Sequence, residues 1–348
     1  MTTLQKLQEI ANCIEIRTSD FSVYHSRYKL HKNTHNSREK LKKLSDGFQE
    51  KSMISLLNDM ILNIYFHGTV NLENESLIKP QYPDFYETTS EVDWDFYERL
   101  HQSNQGTGWW NPNYEITNQE TDGSRQVKKK NVTVYIQRDY HLHPSKKLAK
   151  VGDLVSVYTP KGRILNKYYL AYGNFVNFGK KNQVLIYFNI NPEGMIILIK
   201  QLTEKLNNCQ VPFSFYTLHN PCNYGQYKSG FMQINQDKYQ VVKEIIEDTY
   251  PENKKYFNSQ TPIFTKAIAP GISLAEKPEN EFEFIEYFGA NRCTIVAQAL
   301  LEAHKNGDNS PEVRMEYIFK SFENLGIDLE HPYLNPNSQD NYPPLFIE

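Results

Sequence analysis

The residues best suited to chemistry lie in the second half of the chain, at the ends of candidate strands. Tyr216, His219 and Asn220 close one strand, and Tyr224, Tyr227 and Lys228 follow in a glycine-containing loop. Lys266 lies at the end of the next strand, and Arg292 starts a helix after Gly289. Lys161 and Arg163 flank Gly162 in a cationic turn. Amines, guanidinium groups, imidazole and phenols bind anions and move protons, and binding groups collect at strand ends and loops. His141 and His143 alternate on a candidate strand, which puts two imidazoles on one face, as a metal would require. No third histidine stands near them, so they read as a polar strand end before Pro144, and no metal is expected. The chain has no nucleophile elbow, HExxH, phosphate-binding P-loop or dinucleotide fingerprint.

The elements that must position these residues can be read from periodicity. Residues 1–66 read as helical: Leu4, Leu7, Ile10 and Ala11 recur at helical spacing, as do Met53, Leu56, Leu57, Met60, Ile61 and Ile64. Residues 67–130 show little regular pattern. The segment Gly106–Asn113 reads as a turn carrying two tryptophans, and 118–130 as a linker or hairpin. From Val132 the pattern is β, with strands at 132–136, 154–158, 168–172, 184–190, 212–218 and 230–234. Asn191, Pro192 and Glu193 form a helix start, with a capping side chain, a preset φ and an acid at the positive end of the dipole. Later helices are expected over 237–248, 291–305 and 312–325. The expected fold class is α+β: a helical N-terminal part, then a mixed or largely antiparallel sheet with flanking helices.

Composition excludes several classes. The 348 residues carry 39% hydrophobic and 23% charged side chains, so the chain can build a core. The net charge of −3 lacks the basic excess of a general nucleic-acid binder. The four cysteines form no CxxC pair, which argues against a zinc ribbon or redox motif. No signal-peptide core or run of about 18 apolar residues is present, so a cytoplasmic protein without a membrane partner is expected. The 24 Tyr and 19 Phe suit a Tyr-rich core or a groove for an extended peptide.

Several segments, taken in order, resemble the HopA-type effector family. They are Gly106-Thr-Gly-Trp-Trp-Asn-Pro112, Tyr168-Tyr-Leu-Ala-Tyr-Gly173, Ile186-Tyr-Phe-Asn-Ile-Asn-Pro-Glu-Gly194 and Leu206-Asn-Asn-Cys-Gln-Val-Pro-Phe213. Leu218-His-Asn-Pro221, Phe264-Thr-Lys-Ala-Ile-Ala-Pro-Gly271, Phe288-Gly-Ala-Asn-Arg-Cys293 and Pro332-Tyr-Leu-Asn-Pro336 continue the set. The resemblance divides the chain into a helical region, 1–105, and a HopA-like α+β domain, 106–348.

The resemblance implies a lyase. Family members accompany phosphotransferase-like kinases in the maturation of class V lanthipeptides and thioamitides. The kinase phosphorylates Ser or Thr of a precursor peptide, and the HopA-like partner eliminates phosphate to leave a dehydroamino acid. The family also looks distantly similar to the phosphothreonine lyases of enteric effectors. The reaction requires a base for the Cα proton, support for the developing enolate, and cations for the leaving phosphate. It requires no metal, nucleotide or other cofactor. On this reading Lys228, Lys266, Arg292 and Lys161 contact phosphate, and Tyr216 and His219 transfer protons. Tyr216 stands where related lyases carry a lysine. The alternative is a non-catalytic phosphopeptide- or protein-binding module, an effector-like partner of a kinase. It is motivated by Tyr216 and by the abundance of tyrosine.

Overall fold

The computed structural model describes residues 2–28, 30–33, 41–69, 92–175, 182–278 and 288–346. Helix α1 (Thr3–Cys13) starts on a reciprocal cap between Thr2 and Gln5. It leads into three short antiparallel strands, β1 (Ile14–Arg17), β2 (Ser22–His25) and β3 (Leu30–Asn33). The helical reading of residues 1–66 fails over these strands. Ile14 and Ile16 are buried while Glu15 and Arg17 are exposed, a period of two that short helical templates miss. Helix α2 (Asp46–Ile61) then runs into a π-helical turn, Leu62–His67, and α3 spans Trp94–Ser103.

A small sheet follows, with β4 (Trp109–Gln119), β5 (Ser124–Lys129), β6 (Val132–Gln137), the short helix α4 (Arg138–His141) and β7 (Leu154–Thr159). The two tryptophans therefore begin a strand and do not form a turn. The histidine pair is corrected too: His141 ends α4 and His143 caps the next turn, so they share no strand face. The strand order is β6-β5-β4-β7. Ile116, Val127, Ile136, Leu142, Val155 and Val157 give this sheet a core of its own.

The remaining elements build the large sheet. They are β8 (Gly162–Leu165), β9 (Tyr168–Tyr172), β10 (Gln183–Phe188), α5 (Pro192–Asn208), β11 (Phe213–Leu218) and β12 (Gly230–Asn235). They continue with α6 (Tyr239–Asn253), β13 (Lys266–Ala269), β14 (Ile272–Glu276), α7 (Phe288–Lys305) and α8 (Pro311–Asn324). The seven strands run β13-β14-β10-β12-β11-β9-β8, and each neighbouring pair is antiparallel. The fold is α+β, as its sequence pattern implies.

Consecutive strand residues face opposite sides, and this assigns the layers. Gly230 lies under Met195 of α5, and any side chain at Gly230 would collide with it. Phe231, on the other face, meets Tyr187, which in turn packs edge-on against Phe66 of the π turn. So α5 covers one face, while the π turn covers the other with α2 and α7 packed against it. One core joins residues from Leu7 to Leu345, and the N-terminal helices belong to it.

Candidate functional site

The site forms where four elements end on one side of the large sheet, and backbone hydrogen bonds fix its geometry. The His219 amide donates to the Lys167 carbonyl at 3.3 Å and the Leu218 amide to Ser229 at 3.1 Å. The Ser229 amide donates to Phe188 at 2.9 Å, and the Tyr227 amide to His67 at 2.7 Å. The last bond brings the end of the π turn beside Lys228. Gly68, which follows it, has φ +67°, and the Tyr227 ring fills the space a Cβ would need, so only glycine ends the turn here.

A chain of polar side chains steadies the same turn. His25 Nε2 lies 2.8 Å from the Tyr65 hydroxyl, which donates to Glu9 at 3.1 Å. Burial pushes the His25 imidazole from 6.5 down to about 4. The folded state therefore holds it neutral, while the unfolded chain protonates first. The stability this residue contributes is whole above about 6.5 and lost as pH falls toward about 4. Urea unfolding followed across that range should show the loss, and His25→Gln, which cannot titrate, should flatten it.

The site itself is a pair of lysines among aromatic rings. Lys228 is 1% exposed, and its Nζ lies 5.3 Å from the Phe231 ring centre, 5.7 Å from Tyr168 and 5.8 Å from Phe66. Ring faces favour a cation, yet loss of water outweighs them here. Burial, reinforced by the charge on Lys167, drives the Lys228 amine well below its ordinary range. Lys167 is half-buried beside the Tyr168 ring, and burial brings it to about 8. Both amines are thus made easier to deprotonate, Lys228 by burial and by the charge on Lys167, and Lys167 by burial alone. His67 is buried, and desolvation together with both lysines holds its imidazole neutral. Its Nδ1 has no hydrogen-bond partner among the described residues, nor does the buried Tyr187 hydroxyl.

The structure brings some of the expected residues to this place. Lys228 is its centre. Tyr216 stacks on Phe231 with ring centres 4.4 Å apart and meets Tyr168 edge-on. Burial raises the Tyr216 phenol above its ordinary value, the direction opposite to what a base needs. His219 is buried, and its Nε2 bonds the Asn166 carbonyl at 3.0 Å, so it holds the turn that presents Lys167. Arg292 lies under the same sheet face, within electrostatic reach of Tyr187. Its guanidinium donates to the carbonyls of Pro332 and Leu334.

Two expected residues lie elsewhere. Lys266 is three strands away from β12 and pairs with Asp340 at 2.5 Å. Lys161 donates to the Asn104 carbonyl at 2.8 Å, past the opposite end of β9 from Tyr168. Sequence reasoning missed Lys167, His67 and Tyr187. A lysine directly before the apolar strand 168–172 was a readable sign for the first. Among the described residues, Asp328, Glu330 and His331 could together reach a cation, but they are largely exposed, and the Asp328–His331 ion pair at 2.7 Å already joins two of them.

An antiparallel sheet between helix layers, with amines, imidazole and phenols gathered at one sheet end, defines an α+β protein with a cation-lined polar core. The chain belongs to the HopA1 effector protein family, whose model matches residues 159–334, just over half of its length. Two solved structures are similar to it. The effector protein from Pseudomonas syringae pv. tomato strain DC3000 has 16% identity and a TM-score of 0.40, over 72% of this chain and 84% of that one. The effector protein from Pseudomonas syringae pv. syringae strain 61 has 16% identity and a TM-score of 0.43, over 70% and 81%. No curated protein matches the chain. Among the described residues, no helix is long and apolar enough to cross a membrane.

Proposed function

We propose that the chain is a phosphoserine/phosphothreonine lyase acting on a precursor peptide phosphorylated by a partner kinase. The observation that carries this reading is the gathering of Lys228 and Lys167 about the Tyr168 ring at one sheet end, where burial lowers both amines. The neutral Lys228 amine takes the Cα proton. The released electron pair forms the Cα–Cβ double bond, and the Cβ–O bond breaks. Phosphate departs with that bonding pair and takes a proton from the Lys167 ammonium. The products are a dehydroamino acid and inorganic phosphate. The Tyr187 hydroxyl supplies a donor for the developing enolate oxygen. His67 sits beside Lys228 as a positioning residue. Tyr216 is then a wall of the site, and the amine that the resemblance places on its strand comes from the next strand connection.

The test is the mass of a phosphothreonine peptide after incubation with the full chain. Loss of phosphoric acid is expected, and an unchanged mass removes the lyase reading. The pH profile tests the assignment. Turnover should fall as pH rises through about 8, where Lys167 gives up its proton. Lys167→Arg, which stays charged, should move that fall to higher pH. A profile that does not fall there removes Lys167 from its role.

A second reading, a phosphopeptide-binding module without turnover, is favoured by the closure of the site, since Lys228 is 1% exposed. A substrate reaches the amine only if the rings over it part. Measurable phosphopeptide binding with no mass change supports this second reading.

A further inference from the structure

We propose that the open edge of the small sheet, strand β6, takes up an acidic, extended peptide as a fifth strand. This goes beyond the lyase reading and does not rest on it, because β6 belongs to a separate sheet with a separate core.

Natural proteins protect sheet edges with charge, proline, bulges or a covering segment. Two other edges of this chain are covered. The Leu345 amide of the C-terminal tail donates to Ile268 on β13, and Leu142 bridges to Val157 on β7. Strand β6 has no such protection among the described residues. Its sequence, Val-Thr-Val-Tyr-Ile-Gln, contains no charge, proline or glycine, and only Ile136 is buried. Val132 is 61% exposed, Val134 39% and Tyr135 65%.

The register leaves this edge ready for pairing. Lys129 pairs with Val132 across a two-residue turn in which Lys130 has φ +52°. Val132, Val134 and Ile136 therefore bond β5, and Thr133 and Tyr135 turn their N–H and C=O groups outward. Main-chain bonds of this kind give strand addition its affinity, and flanking side chains give its specificity.

Charge selects the partner. Between Trp109 and Thr159 the chain has eight Lys or Arg and five Asp or Glu, a local excess of +3 in a chain of net −3. Lys128 and Lys130, both exposed, stand at the start of the edge. An acidic peptide that alternates charged and β-branched residues matches both the lysines and the valines.

The experiment titrates the full chain into a fluorescein-labelled ten-residue peptide of alternating Glu and Val and reads anisotropy. Saturable binding is expected, at least tenfold tighter than for a Lys-Val peptide and lost when a central proline interrupts the sequence. Val134→Asp, which sets a like charge against the peptide, should weaken it at least tenfold. Thr133→Pro removes an outward N–H without touching the β5 ladder and should do the same, so the test survives if one variant fails to fold. Amide exchange at Thr133 and Tyr135 should slow on binding. Four results would overturn the proposal: no binding, equal binding of the lysine peptide, displacement by oligothymidylate, or a dimer in sedimentation that Val134→Asp dissolves.

Discussion

Lys228→Met is expected to reduce phosphate elimination by roughly a thousandfold while the chain still folds. The substitution keeps the length and apolar stem of the side chain among Phe231, Tyr168 and Phe66 and removes only the amine. Lys228→Arg is the sharper comparison. In this site the lysine can lose its proton, because burial and Lys167 both disfavour its charge. A guanidinium cannot do so. Arginine would therefore force a permanent charge into a closed aromatic site beside a second cation, at a cost of about 3 kcal/mol or more. It would also supply no base. Both variants should fail to release phosphate from a phosphothreonine peptide, and only the arginine should lower Tm markedly. A Lys228→Arg protein that turns over at the original rate would show that charge at this position, and not an unprotonated amine, serves the reaction.

How much of this was legible in the sequence depends on the range of the interactions involved. The start of α5 follows from three adjacent residues, and the structure shows the Asn191 side chain accepting from the Gly194 amide at 2.8 Å. The central strands follow from uninterrupted apolar runs such as β10, where all six residues are buried. The class of residue in the site was legible too, since Lys228 stood out in a loop beside Tyr216. The partners of Lys228 were not, because pairing across the sheet sets them. His67 comes from a π turn more than 150 residues earlier in the chain, brought in by one backbone bond to Tyr227. Lys167 arrives through the β9–β11 register, which opposes Tyr168 to Leu218. Local spacing marks Lys167 as a lysine at a strand start, but it carries no trace of the contact that either residue makes with Lys228. The same limit explains Lys266 and Lys161. Each is a cation at or just before a strand start, as Lys228 is, but the strand order places them elsewhere.

Arg292 separates a structural cation from a substrate-binding one, and Arg292→Ala should cost about 3 kcal/mol of stability. The side chain is 2% exposed, and burial lowers its guanidinium to about 10, so it stays charged at neutral pH. Its Nε donates to the Pro332 carbonyl at 2.9 Å and one terminal nitrogen to Leu334 at 2.8 Å, while the other reaches the Asn291 side chain at 2.6 Å. These bonds fasten the segment after α8 to α7. From there the Glu276 amide donates to the Tyr333 carbonyl at 2.8 Å, so the segment is held against the sheet. Truncation to alanine leaves two buried carbonyls without their donor and a cavity beside Phe288. For a chain of this length the expected fall in Tm is roughly 4 °C, with earlier proteolysis of the tail. Lysine carries the charge but cannot span two carbonyls in a fixed fork, so Arg292→Lys should recover less than half of the loss. Elimination per folded molecule should be nearly unchanged in both variants. If Arg292→Ala instead keeps its Tm and loses affinity for phosphopeptide, the guanidinium leaves its carbonyls to grip phosphate, and the site extends along the sheet face beneath Tyr187.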